Sequence, residues 1–205
     1  MSVKRIGVLT SGGDAPGMNA CVRSVVRTAL YHGLEVYGIR RGWHGLIQGD
    51  VQRLDEKSVT RIINKGGTIL YTARSKQFMT EEGQRKAAST CKFLGLDSIV
   101  AIGGDGTFRG AQALSKFGIN VIGIPATIDN DIGDAEFQLI DHTPSYASTA
   151  KYWSHMVQYA EEENRGSSPA DPVLVLQAMG RKIGFIPAAA RFADPKRETP
   201  LLIYL

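Results

Sequence analysis

The sequence predicts an α/β chain in which parallel strands are joined by crossover helices. Three observations carry that expectation. Short β-branched runs alternate with longer amphipathic ones from end to end. The run at residues 98–102 is short and, after Ser98, apolar throughout, the pattern of a strand buried on both faces. Glycine supplies 23 of the 205 residues, roughly 11% against a usual ~7%, and such an excess points to loops that bring backbone close to a ligand.

The elements follow in order. Residues 5–9 read as the first strand, and a Gly-rich turn over 11–17 leads into a helix over 19–31 that Gly33 stops. Residues 35–39 form the second strand. After a Gly-punctuated loop around Trp43, a short helix is expected over 58–64, ended by Gly66 and Gly67, and an extended polar stretch follows through Arg74 to Phe78. Thr80 is placed to cap the next helix, which carries Gly83 in its first turn and runs to about Leu94. Residues 98–102 are the buried strand and 107–117 a helix. A second apolar strand covers 120–124 and ends at Pro125 and a polar turn through Asp131. A long helix over 144–163, a loop over 166–172 and a strand at 173–176 come next. Met179, Gly180 and Arg181 then open a helix to Ala193, and residues 201–204 are an apolar strand. No repeat or low-complexity tract is present.

With 205 residues, 43% hydrophobic and 21% charged, the chain has the length and composition of one large globular domain, or of one domain plus part of a second. Its 24 Lys and Arg against 20 Asp and Glu leave a formal charge of +4, an excess suited to small anions. Basic residues come at most in pairs, such as Arg40-Arg41, Arg85-Lys86 and Lys196-Arg197, so no stripe matches a nucleic-acid backbone. Cys21 and Cys91 lie in helical patterns without a partner motif, which fits buried thiols in a reducing compartment. No signal peptide opens the chain and no apolar run spans a bilayer. Neither a membrane nor nucleic acid is expected as a partner, and the expected location is the cytoplasm.

Ligands of open parallel sheets bind at the carboxyl ends of the strands. Four turns there carry unusual residues: 12–19 (GGDAPGMN), 103–107 (GGDGT), 125–131 (PATIDND) and 179–181 (MGR). Glycines before a helix let backbone N–H groups face a phosphate, and the helix N-terminus adds a favourable dipole; a tight turn explains any single loop equally well. Asp105 within such a cradle suggests Mg2+ between carboxylate and phosphate, and capping of the following helix is its other role. Asp129-Asn130 is common turn chemistry. A carboxylate there can also take the proton of an attacking hydroxyl that Thr127 orients. Arg74 and Lys76, after Gly67 and Thr68, form a cationic loop that either closes on a transferring phosphate or is solvated surface.

Taken in order, the motifs resemble the phosphofructokinase family: GGDAPGMNA at 12–20, GGDG at 103–106, TIDND at 127–131 and MGR at 179–181. GGDGT alone is also similar to NAD kinases and diacylglycerol-type lipid kinases, which lack the first and third motifs. The resemblance implies a three-layer, doubly wound, mostly parallel sheet. It implies a nucleotide-binding domain over 1–140 and the incomplete start of a sugar-phosphate domain over 141–205. The implied reaction is the glycolytic transfer of the γ-phosphoryl of ATP to the 1-hydroxyl of fructose 6-phosphate, giving fructose 1,6-bisphosphate and ADP. By the same resemblance Gly13, Arg74, Ser75, Gly104, Asp105, Gly106 and Thr107 hold the nucleotide, and Asp105 and Asp131 serve Mg2+. Asp129 is the implied general base, Thr127 positions the acceptor, and Arg74 stabilises the transferring group. Thr127, Ile128, Asp129, Met179, Gly180 and Arg181 line the sugar-phosphate side. ATP and fructose 6-phosphate are the implied small-molecule partners, and the full-length form is expected to be a homo-oligomer.

Several positions depart from the family's usual residues. Pyrophosphate-using members carry Asp at the position of Gly106 and Lys before the Thr of TIDND, whereas ATP-using members carry Gly at both. Gly106 and Ala126 favour ATP, while DHTPSY at 141–146 is similar to longer or pyrophosphate-using branches, so pyrophosphate remains the alternative donor. Pro172 stands where many bacterial members place an intersubunit Arg. Arg23 and Arg27 match effector-binding positions, though an exposed helix face accounts for them equally, and Glu56 stands where an effector-binding Arg is expected. Family members continue past Leu205. A truncated chain is therefore expected, and a non-catalytic nucleotide-binding fragment is a further alternative.

Overall fold

The computed structural model describes residues 3–133, 141–167 and 169–205. The chain divides into two compact units, Met1–Thr127 and Ile128–Leu205. The domain boundary expected after residue 140 falls on residues outside those described.

The first unit is built on a sheet that has five strands among the described residues: β1 (Arg5–Thr10), β2 (Glu35–Ile39), β3 (Val51–Leu54), β4 (Ser98–Gly103) and β5 (Asn120–Pro125). Their order is β3-β2-β1-β4-β5. β2, β1, β4 and β5 run parallel, and β3 returns antiparallel beside β2. The chain steps outward from β1 to β2, then crosses back to place β4 on the other side of β1, which is the doubly wound arrangement expected from the motifs.

Residues paired across the ladder share a face. Leu9 pairs with Ile39 and Ala101, and Val8 with Gly38 and Val100. The Leu9 face meets α2 (Gly42–Gln48), α3 (Glu81–Leu94) and α4 (Asp105–Ser115), whose Trp43, Leu46, Ala88, Cys91 and Leu114 close one core with Ile99. The Val8 face takes α1 (Met18–Tyr31), which buries Val22, Val26 and Ala29 and contacts β1 and β2. Helices on both faces make three layers. Each fully buried Val or Leu contributes about 1.5–3 kcal/mol.

Local chemistry sets the helix ends. The Thr80 hydroxyl accepts the Gly83 amide at 3.2 Å and starts α3. Gly95, at φ 64°, ends it in the left-handed conformation that a Cβ disfavours. Cys21 and Cys91 are free thiols, and burial pushes Cys91 up to about 12 and raises Cys21.

Five stretches of this unit differ from the sequence expectation. The loop around Trp43 is helix α2, because Trp43 and Leu46 present one buried stripe while Arg41 and Gly49 take left-handed φ at its two ends. The helix expected over 58–64 is reduced to a 3-10 turn, Lys57–Val59. Asp55 and Ser58 cap that turn reciprocally at 2.8 and 3.1 Å, and Arg61 then leaves the helical region with φ 60°. The extended stretch toward Phe78 ends in a second 3-10 turn, Gln77–Met79. β3 had no sequence expectation; its outward Gln52 and Arg53 are exposed, which suits an edge strand. β5 is also an edge in this sheet, and Ile122 is 61% exposed, unlike the buried β4 it was expected to repeat.

The second unit has no sheet among its described residues. Its main element is α5 (Tyr146–Ser167), against which α6 (Phe185–Ala188) and a 3-10 turn (Ala189–Ala193) pack, burying Val157, Ile186, Ala189 and Ala190. The helix expected over 144–163 starts after Pro144 and continues through Gly166. The single helix expected from Met179 to Ala193 is broken, because Gly180 (φ 120°) and Arg181 (φ 54°) form a turn in which the Ile183 amide reaches the Gly180 carbonyl at 2.9 Å. The strands expected at 173–176 and 201–204 do not form. A strand needs a neighbour to receive its backbone N–H and C=O groups, and neither segment has a strand partner among the described residues. No described helix is long and apolar enough to cross a membrane.

Candidate functional site

In the first unit the sheet order reverses between β1 and β4, and the turns that follow these two strands are brought together there. The Ser11 amide donates to the Ile102 carbonyl at 3.0 Å, and the buried Thr107 hydroxyl donates to the Ser11 carbonyl at 3.1 Å. A Cβ on Gly103 would stand 2.6 Å from that same carbonyl oxygen, so this close approach of backbone to backbone requires glycine. Gly104 begins α4 without a side-chain cap, which leaves the leading amides and the positive end of the helix for an anion. Gly13 and Gly106 face open space, with no atom within 4 Å of where a Cβ would stand. Two loops expected separately from sequence thus form one glycine-lined rim.

Asp105 lies in the first turn of α4 rather than at its cap. Its carboxylate meets Arg109 one turn later at 2.9 Å, with both side chains largely exposed. Such a pair is worth about 0.2–1 kcal/mol and yields readily to a stronger cation. A lone carboxylate beside an uncapped helix end fits Mg2+ held jointly by protein and phosphate oxygens. No cluster of three or more His, Cys, Asp or Glu side chains occurs among the described residues.

The loop that carries Arg74 is moored by two buried side chains that motif reading did not single out as anchors. Asn19 donates its amide to the Lys65 and Gly66 carbonyls, both at 3.1 Å, and accepts the Ile69 amide at 2.8 Å. The Thr10 hydroxyl donates to the Tyr71 carbonyl at 3.0 Å and lies 2.9 Å from the Thr68 hydroxyl. Their signal in the sequence was position: one ends β1 and the other sits in the first turn of α1. Arg74 is exposed beyond this anchor, and the Ser75 hydroxyl accepts the Phe78 amide at 3.1 Å. Phe78 stacks on Trp43 at 4.7 Å and 7°.

Thr127 closes the first unit and packs on the same rim. A Cβ on Gly104 would stand 3.2 Å from the Thr127 Cβ, and the Ala126 amide donates to the Gly103 carbonyl at 2.9 Å. Ile128 is half-buried and follows directly.

The second unit carries Asp129 and the MGR motif. Asp129 is 8% exposed, and Arg181, 52 residues later in the chain, donates to its Oδ2 at 2.9 Å. Arg181 itself is 74% exposed along its side chain, and Met179 beside it also faces outward. Asn130 is buried, and its side chain joins the backbone of Asp141 and Thr143. Asp131 is half-buried. Of the positions matching effector sites, Arg23 is half-buried and Arg27 exposed on α1, and Glu56 is exposed before the first 3-10 turn.

The sequence matches the Phosphofructokinase family profile over residues 5–197. It is 46% identical over 192 residues to a protein of Shouchella clausii named ATP-dependent 6-phosphofructokinase, covering 94% of this chain and 58% of that one. It is 49% identical over 185 residues to a Clostridium botulinum protein of the same name, covering 90% and 55%. The chain thus spans little more than half the length of these curated relatives. Among solved structures, phosphofructokinase from Saccharomyces cerevisiae superposes with a TM-score of 0.78 at 30% identity, covering 92% of this chain and 28% of that one. A pyrophosphate-dependent phosphofructokinase from Nitrosospira multiformis shares the fold, with a TM-score of 0.79 at 21% identity, covering 94% and 50%.

Proposed function

The chain belongs to the phosphofructokinase family, and from that membership we propose that it takes part in transfer of the γ-phosphoryl of ATP to the 1-hydroxyl of fructose 6-phosphate, yielding fructose 1,6-bisphosphate and ADP. The observation that carries this reading is the glycine-lined rim at the sheet's reversal point, where an uncapped helix end, an open Gly13 and an exposed carboxylate meet. Backbone amides around Gly13, Gly104 and Gly106 bind the phosphates, with Arg74 and Ser75 on the moored loop beside them, and Thr107 holds the turn in shape through its amide on the Gly104 carbonyl and its hydroxyl on that of Ser11. Asp105 and Asp131 would hold Mg2+, which would supply neutralisation of the phosphate charge. Thr127 orients the acceptor and Asp129 takes the proton of its 1-hydroxyl as the new P–O bond forms and the bond to ADP breaks. Met179, Gly180 and Arg181 line the sugar phosphate, and the bond from Arg181 orients the base. Ile128 contributes backbone to that wall.

ATP is the favoured donor because Gly106 and Ala126 stand where pyrophosphate-using members carry Asp and Lys, and because Ala126 is buried, where an ammonium would be costly to desolvate. We place the nucleotide domain at 1–140 and the opening of the sugar-phosphate domain at 141–205, in a cytoplasmic enzyme that is a homo-oligomer at full length. Purified protein given ATP, Mg2+ and fructose 6-phosphate should release ADP, while pyrophosphate in place of ATP should give no bisphosphate. Asp129→Asn should lower the rate by about 10²–10⁴-fold. Nucleotide binding without any turnover would make this chain a binding fragment, and full activity of Asp129→Asn would remove the assigned base.

A further inference from the structure

Asn130 does more than shape a turn. It holds φ at 53°, a conformation that Asn tolerates better than most residues, and it is 6% exposed. An ordinary turn Asn can leave its amide in water. Here the amide is spent on backbone in both polarities: Nδ2 donates to the Asp141 carbonyl at 3.1 Å, and Oδ1 accepts the Thr143 amide at 2.7 Å. One side chain therefore supplies the donor and acceptor that a neighbouring strand would offer. The tie continues, because the Thr143 carbonyl accepts the amide of Tyr146, the first residue of α5. Asp129 precedes Asn130 directly, so the carboxylate is one residue from a buried clamp fastened to the longest helix of its unit. Arg181 meets the other end of that carboxylate.

We propose that Asn130 is a positioning residue that holds the Asp129 carboxylate in place by bonding its amide to the backbone of Asp141 and Thr143. The proposal rests on Asp129 being the general base, and its test separates the two claims. Asn130→Gly keeps the backbone conformation accessible and removes both bonds. Hydrogen exchange of the Thr143 amide should rise about tenfold or more, and the order parameter of the Asp129 amide should fall from a rigid ~0.85 toward ~0.6. The kcat should drop by about 10–100-fold, as expected for a misplaced catalytic group, with the KM for nucleotide within about twofold. In an Asp129→Asn background the same change should alter kcat by less than about twofold, whereas a general loss of folding would lower it again. Unchanged order at Asp129 despite faster Thr143 exchange overturns the proposal, as does an equal kcat loss in both backgrounds. A wild-type chain that binds but does not turn over refutes the kinase reading alone, and the order parameter then decides the clamp. If Asn130→Gly does not fold, Asn130→Asp retains the Thr143 bond, loses the donor to Asp141, and is read by the same measurements.

Discussion

Two apolar segments of nearly the same kind have opposite fates in this molecule. Residues 99–102 are the buried part of an inner strand of the first unit's sheet, whereas 173–176, equally apolar, lie exposed and irregular in the second, with Val175 85% exposed. Composition does not separate them. What separates them is the ladder: β4 has β1 on one side and β5 on the other, while 173–176 has no strand beside it among the described residues. A hydrophobic run becomes a strand only when its backbone groups find partners.

That contrast is testable in stability. Leu9→Ala, at a fully buried position on the Leu9 face, should cost about 2–5 kcal/mol in chemical denaturation, and Val175→Ala should stay within about 0.5 kcal/mol. Equal losses would show that the second unit's apolar segment is packed in solution. The first unit should also resist added volume. A Cβ on Gly110 would stand 2.5 Å from the Trp43 ring nitrogen and 3.1 Å from Phe78, so Gly110→Ala should cost about 1–3 kcal/mol, and a neutral result would mean that the Trp43 stack moves easily. Thr80→Ala, which removes the α3 cap, should lower stability by about 1 kcal/mol; no change in the denaturation midpoint would place the start of α3 elsewhere.

The smallest difference concerns acid. Asp97 accepts the amides of Lys4 and Arg5 at 2.7 and 2.9 Å, a tie across more than ninety residues, and Asp194 accepts those of Glu198 and Thr199 at 2.9 and 3.0 Å within a single turn. Backbone hydrogen bonds hold both carboxyls below their usual range, from Arg5 and Lys4 at Asp97 and from Glu198 and Thr199 at Asp194. A depressed value in the folded state means stabilisation that is present above the unfolded value of ~3.9 and lost as pH falls through the folded one. Asp97→Asn should therefore flatten the acid side of the first unit's stability profile, while Asp194→Asn should alter only local exchange at residues 198 and 199. A flattened global profile in Asp194→Asn would show the second unit's turn to be as structural as the first unit's tie.

Much of the site could be read from residues alone. GGDG followed by a helix pattern placed Gly104, Asp105 and Thr107 at a helix start, and the structure has them there. The β1 turn was equally legible, since its glycines mark where backbone must take conformations other residues resist, and Gly12 and Gly17 do hold positive φ. The anchors were not. Asn19 and Thr10 act through hydrogen bonds to backbone about fifty or sixty residues away, and no local pattern encodes such a partner. The same limit explains Arg181 on Asp129, whereas Arg109 on Asp105 is an i,i+4 pair that local spacing could have suggested.

The sequence by itself determined the rhythm of strands and helices in the first unit, the caps of α1 and α3, and the identity of the loops that carry charge. These depend on periodicity and on glycine and Thr chemistry within a few residues. Only the tertiary structure decided that β1 and β4 are neighbours, that two glycine turns make one rim, that Asn130 is fastened to the start of α5, and that 173–176 stays out of a sheet. Each of those outcomes is a pairing of groups far apart in the chain, and a side chain's partner is set by where the backbone brings it, not by what stands next to it.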